Sequence, residues 1–346
     1  MQPYEWEVSS EALAAELGLP VGEILRFDTN TSPYAPAIDP ALISAALATI
    51  NEYPDATYAP LVRAIAAYTG FAPDSIVVGA GGDELLDMLA KVYLDSGDVA
   101  VTTAPTYSMY GVVTALMGAR LVTIEDRPDF GLDLPALIAA ARAAKLVWLC
   151  HPNNPTGAPR PLEAIAELAR AVRCPIVVDE AYIEFHGATA TTLVRQHENV
   201  IVLRTLSKAF GMAGARVGYA LAAPAVARWL NRVRPPNSIG SLSVALATAA
   251  LQDLPRLRQN VAAILTNREA LAADLQGLGL RVLPSATNFL LAEVPQARAV
   301  AQALLRRGIV VRDVSSRPLI AGCLRFTVRT LEDHGRLVAA LRALLP

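Results

Sequence analysis

Lys145-Leu146-Val147-Trp148-Leu149-Cys150, Pro175-Ile176-Val177-Val178-Asp179 and Val200-Ile201-Val202-Leu203-Arg204-Thr205 are three short, mostly apolar runs rich in β-branched residues. Between the first two, residues 162–172 repeat their apolar positions at helical spacing. A strand buried on both faces needs an almost unbroken apolar run, and strands separated by amphipathic helices pair in parallel. The three runs therefore predict the centre of an α/β fold with a mostly parallel sheet. Working outward, 76–78, 99–102, 121–124 and 216–221 read as further strands and 83–94 as a helix. The uncharged stretch 99–119 is as long as a membrane span, but Pro105, Gly111 and its hydroxyl residues break the hydrophobicity, so it reads as strand, loop and helix. Pro135 and Pro161 stand where helices open, because a missing N–H costs nothing in a first turn.

From residue 254 the pattern changes. Residues 254–275 make one long amphipathic period with Gly277 placed to cap it, followed by two or three strands, a helix and a terminal helix over 331–344. This predicts an arm over 1–29, a large unit over 30–253 and a smaller α+β unit over 254–346. The division suits a chain of 346 residues, since single cores stop growing at roughly 250–300 residues. A cleft between two such units is a natural place for a site.

Apolar residues make up 53% and charged residues 18% of the chain, the balance of a folded, core-rich protein. A net charge of −2 leaves no positive excess for a nucleic-acid backbone or an anionic membrane to attract, so neither is an expected partner. Cys150, Cys174 and Cys323 are too few and too widely spaced for a disulfide framework or a metal cage, and no metal is expected. Met1 to Ser10 carries acids and Trp6 where a secretory signal needs a positive start and an apolar run, which makes the cytoplasm the expected location.

Chemistry is concentrated at strand ends. After the run ending at Thr205 comes Leu206-Ser207-Lys208-Ala209-Phe210-Gly211, then Gly214-Ala215-Arg216. A lysine among apolar and glycine neighbours can leave the surface, have its amine pKa lowered by a nearby cation and form an imine, whereas a lone lysine is ordinarily a solvated surface group. Thr205, Ser207 and Arg216 carry the hydroxyl and guanidinium groups that suit a phosphate dianion. Gly79-Ala80-Gly81-Gly82-Asp83 runs from a strand into a helix, either as an anion site at the helix start or as a tight turn with Asp83 as N-cap. A dinucleotide site fits it poorly, because the spacing is not G-x-G-x-x-G. His151-Pro152-Asn153-Asn154-Pro155 and Asp179-Glu180-Ala181-Tyr182 also follow strands. Asn154 alone could be a turn residue and Asp179 a helix cap. In an open parallel sheet, however, the carboxyl ends of strands border one crevice, which brings both motifs toward Lys208.

These motifs, with Tyr53-Pro54, Pro105-Thr106-Tyr107, Gly308-Ile309-Val310-Val311-Arg312 and Cys323-Leu324-Arg325-Phe326-Thr327, resemble the fold-type I pyridoxal 5′-phosphate (PLP) aminotransferases over essentially the whole chain. The similarity is greatest to the histidinol-phosphate aminotransferases. It implies a large domain with a mostly parallel sheet plus a smaller α+β domain. It also implies that Lys208 carries the cofactor aldehyde as a Schiff base and shuttles the proton. Asp179 would pair with the pyridine nitrogen, Asn154 and Tyr182 would bind the ring oxygen, and Tyr107 would stack on the ring. The cofactor phosphate would meet Gly82, Asp83, Thr205, Ser207 and Arg216, with Tyr53 reaching across from a second subunit of a homodimer. Arg325 would clamp a substrate α-carboxylate, Arg312 and Tyr4 would reach the phosphorylated end, and Asn30 would line the substrate side. Amino acids and keto acids would be the small-molecule partners. The chain departs from the family's usual pattern at Asn30-Thr31-Ser32-Pro33, near the expected mouth of the site, at Pro235-Pro236-Asn237-Ser238, which lacks the usual aromatic, and past Tyr4, where Glu5, Trp6 and Glu7 stand in place of the usual Pro-Gly. The expected reaction is histidinol-phosphate:2-oxoglutarate transamination. Aromatic amino acid transamination, phosphothreonine decarboxylation on the same scaffold and, from another class, a nucleotide-dependent oxidoreductase are the alternatives.

Overall fold

A computed structural model describes residues 7–345; Tyr4 lies outside them. A short strand, β1 (Leu25–Phe27), precedes seven strands of one sheet: β2 (Ile76–Gly79), β3 (Val99–Ala104), β4 (Arg120–Glu125), β5 (Leu146–Cys150), β6 (Ile176–Asp179), β7 (Val200–Thr205) and β8 (Gly218–Leu221). Their order is β2-β8-β7-β6-β5-β3-β4. Only β8 runs against its neighbours. Every residue of β5, β6 and β7 is buried, which is why these three runs are apolar without alternation. Val177, Ile201 and Leu203 pack on one face with Leu85 and Trp148, and Val178 and Val202 pack on the other with Ile165 and Leu168. Burying each such aliphatic side chain stabilises by about 1.5–3 kcal/mol.

The smaller sheet joins β9 (Arg281–Leu283), β10 (Phe289–Glu293), β11 (Ile309–Asp313) and β12 (Cys323–Thr327) in the order β1-β11-β12-β10-β9. Its edge strand β1 comes from the segment expected to be an arm, and pairs in parallel with β11 through Leu25↔Ile309. Phe27, fully buried, anchors that edge in the same cluster as Leu271 and Leu324.

Two expectations about helix ends need correcting. The long helix is Leu254–Gly277, so Gly277 closes it from inside, and the left-handed residue beyond it is Gly279, φ +80°. Gly279 N–H bonds Gln276 and Leu280 N–H bonds Leu275, satisfying carbonyls that the helix leaves open. The helix after β2 is Gly81–Tyr93 with Ala80 at its N-cap, so Asp83 sits inside the first turn and is not the cap. β2, β3, β5, β6 and β7 all end, and β8 begins, along one edge of the large sheet, as the registers Cys150↔Asp179, Asp179↔Leu203 and Thr205↔Gly218 require.

Candidate active site

A cavity of about 680 Å³ opens along that edge, walled by the strand ends on one side and by β11 and β12 on the other. Lys208 reaches into it three residues past β7, and its Nζ donates to the Thr29 carbonyl at 3.2 Å. Loss of water around the amine, with the Arg325 guanidinium as the next influence, pushes its pKa down to about 8. About a tenth of the amine is then an uncharged nucleophile at pH 7, far more than for an ordinary lysine.

Asp179 ends β6 and is buried, which raises its carboxyl to about 6. Tyr110 donates to Oδ2 at 2.8 Å and the Ala181 N–H donates to Oδ1 at 3.1 Å. Tyr110 was not singled out from the sequence. It follows Tyr107 by three residues, at the start of the helix Met109–Leu116, and the two rings meet edge to face at 5.7 Å. Tyr110 also stacks on Trp148, which locks the phenol beneath the carboxylate.

Glycine builds the adjoining bay. Gly81 adopts φ +84°, and a Cβ there would lie 2.7 Å from Arg216 Nη2. Gly218 lets β8 come against the same turn, since its Cβ would lie 2.7 Å from the Gly81 carbonyl carbon. Arg216 itself takes a left-handed φ of +52°, a conformation that costs a non-glycine residue free energy and is found where a side chain must be aimed. Its Nη2 stands 3.3 Å from Asp83 Oδ2, and Tyr107 donates to the other oxygen at 3.0 Å. The Asp83 carboxylate is thus occupied, and the helix start offers its backbone N–H groups. Thr205 and Ser207 point into the same bay with their hydroxyls 2.9 Å apart.

Across the cavity Arg312 and Arg325 are register partners on β11 and β12. Arg325 donates from Nη1 to Asn154 Oδ1 at 2.6 Å and from Nη2 to the Asp28 carbonyl, while its buried Nε has no partner. Asn154 therefore presents its amide N–H groups elsewhere, and Tyr182 O–H accepts from Asn30 Nδ2 at 3.0 Å. Asn30 lines the cavity, and its other polar atoms engage Thr327 and Asn288, so it also braces the small sheet against Tyr182. Tyr53 is 86% exposed and does not line its own chain's cavity. Glu7 and Arg317 do line it, without any sequence motif to mark them. Glu7 Oε1 stands 3.9 Å from Arg312, and Arg317 donates to the Thr106 carbonyl at 3.3 Å.

Two observations test the fit of a phosphorylated pyridine aldehyde. Asp179 is a buried carboxylate with no cation in ion-pair contact among the described residues, which is the environment that would hold a protonated ring nitrogen. The bay of helix-start N–H groups, two hydroxyls and Arg216 is a built anion cradle. Both fit.

Residues 17–341 match the family model for aminotransferase class I and II. The chain is 38% identical to a histidinol-phosphate aminotransferase of Roseiflexus castenholzii, covering 99% of this chain and 95% of that protein. It is 40% identical to one of Thermoanaerobacter pseudethanolicus over 86% of this chain and 85% of that one. Among solved structures, histidinol-phosphate aminotransferase from Sinorhizobium meliloti in complex with pyridoxal-5′-phosphate superposes with a TM-score of 0.88 at 31% identity, covering 99% and 96% of the two chains. With its lysine, buried carboxylate and anion cradle held along one sheet edge, this chain belongs to the class I and II aminotransferases.

Proposed function

We propose that the protein is a PLP-dependent aminotransferase that exchanges amino groups between histidinol phosphate and 2-oxoglutarate. The observation that carries the reading is the pair of guanidiniums, Arg312 and Arg325, standing side by side across the cavity from Lys208. Histidinol phosphate bears a phosphate, and glutamate a carboxylate, close to the carbon that carries the amine. Two adjacent guanidiniums suit both anions. The resemblance to histidinol-phosphate aminotransferases over nearly the full chain supports the same choice.

PLP supplies an aldehyde that condenses with amines and a ring that draws electrons from the amine-bearing carbon. Asp179 holds a proton at the ring nitrogen, and Tyr110 fixes the carboxylate that does so. Asn154 and Tyr182 orient the ring from the side of its oxygen, with Arg325 and Asn30 holding them in turn. The Gly82 and Asp83 N–H groups, Thr205, Ser207 and Arg216 fix the phosphate, and Tyr107 covers the ring. The Lys208 amine would be the base that takes the proton from the amine-bearing carbon of the substrate and holds it at Nζ for return to the former aldehyde carbon, across the linking nitrogen. Arg325 clamps the substrate anion, with Arg312 beside it.

A second copy completes this reading. The helix Pro40–Leu47 buries none of its residues, and Ile50 and Tyr53 beyond it are 59% and 86% exposed, which supports their facing a partner whose site Tyr53 would enter.

The test is a panel of donors and acceptors. Glutamate with imidazole acetol phosphate should yield 2-oxoglutarate. Turnover of glutamate with phenylpyruvate but never with imidazole acetol phosphate would refute the substrate assignment. Carbon dioxide release from phosphothreonine without keto acid would refute the reaction class.

A further inference from the structure

Strand alternation sends consecutive residues to opposite faces of a sheet, so each cavity-facing residue has a neighbour that faces away. Leu203 and Thr205 line the cavity and Arg204 between them does not. Asp179 lines it and Glu180 does not. Gly218 pairs with Thr205, and its neighbour Tyr219 pairs with Arg204. On the far face these neighbours converge. Arg204 Nε donates to Glu180 Oε2 at 2.9 Å, and Arg204 Nη2 and Glu180 share the Thr189 hydroxyl at 2.8 Å each. Glu184, two residues past Tyr182, lies half-buried beside them and accepts from Tyr68 at 3.3 Å; loss of water around its carboxyl raises its pKa to about 7. Tyr68 in turn meets Phe210, two residues past Lys208, edge to face at 5.6 Å.

We propose that Arg204 and Glu180, backed by Glu184, are positioning residues: a buried clamp that ties the exit of β6 to the exit of β7 and so sets the spacing between Asp179 and Lys208. This rests on the reading that those two residues act on one cofactor. A chain needs only the β6–β7 backbone pairing to form the sheet, but that pairing stops at Asp179↔Leu203, and the next backbone bond is Glu180 N–H to the Leu203 carbonyl at 2.8 Å. Beyond it no strand pairing holds the Lys208 segment against the Asp179 segment from this face. The Arg204–Glu180 bond spans that point. Glu184 adds a second carboxyl near the one guanidinium, held by the Tyr68 hydroxyl.

The buried pair Arg160–Asp126, at 2.7 Å and with both side chains fully buried, is the internal control, because its side chains join the ends of β3 and β4 and not the segments that carry Asp179 and Lys208. Glu180→Gln, Arg204→Gln and Asp126→Asn should all lower the melting temperature of the protein stripped of cofactor. Only the first two should move the pH midpoint of the visible absorption of the PLP-loaded protein, by about 0.5 unit or more, and cut kcat by about tenfold at a temperature where all are folded. Arg204→Lys, which keeps the charge, should restore part of both. An unmoved midpoint and a kcat within twofold of wild type in Glu180→Gln would overturn the proposal, leaving the cluster a stability element. Wild-type protein with no visible band on adding PLP would instead refute the proposed function, and the clamp with it.

Discussion

The two walls of the cavity are built differently. Asp179 and Thr205 stand at the ends of paired, buried strands and Lys208 three residues beyond one of them, so sheet register sets where these segments leave the sheet. The facing wall combines Arg312 and Arg325 from the small sheet with less regular segments: Glu7 approaches Arg312 only to 3.9 Å, and Arg317 reaches Thr106 from an irregular segment. Rigid register suits chemistry that is the same for every substrate. Adjustable loops suit an enzyme that must admit two different substrates in turn.

Substitutions should separate the walls. The largest effect is expected at Lys208→Ala, with kcat reduced on the order of 10⁴-fold for every donor and the borohydride-sensitive visible band absent, read by steady-state kinetics and spectrophotometry. Arg325→Gln comes next. It removes a clamp common to both substrates and the hold on Asn154, so kcat/KM for glutamate and for histidinol phosphate should fall together by about 10²-fold, since charge-assisted bonds are each worth about 1.5–3 kcal/mol. Arg312→Gln should discriminate: about tenfold for histidinol phosphate, chiefly in KM, and less for glutamate, because a dianion gains more from a second guanidinium. Equal losses for the two donors would erase the distinction between a shared and a selective arginine.

The smallest effect concerns stability and runs opposite to activity. Asp179 titrates near 6 in the folded protein without cofactor, above an ordinary carboxylate near 4. Folding therefore favours its protonated form, and that contribution is complete below about pH 4 and lost as pH rises through 6. At pH 8 the buried charge costs on the order of 3 kcal/mol, so Asp179→Asn should raise the melting temperature of cofactor-free protein by a few degrees while losing activity. At pH 4 the two melting temperatures should coincide. A stabilisation of equal size at both pH values would mean that charge burial is not its cause.

Much of the rigid wall was legible in the chain itself. Runs such as 176–179 and 200–205 announce strands buried on both faces, and polar residues placed just past such runs must crowd the carboxyl edge of a parallel sheet. Tyr110 stands close to Tyr107 in the chain, but the fold was needed to show which carboxylate it meets. The adjustable wall was legible only through resemblance. No periodicity marks Glu7 or Arg317, and only the fold shows that Asn30, at the cavity wall, is bonded to Thr327, Asn288 and Tyr182.

The amino-acid order alone determined the α/β class, the strand ends and the residue types gathered there, because hydrophobic period and strand alternation are local properties. Tertiary structure alone decided that β1 joins a sheet some 280 residues away in the chain, that Arg204 and Glu180 meet behind the cavity, and which arginine holds Asn154. Those are contacts between segments distant in sequence, and they exist only once the packed core has fixed the distances between them.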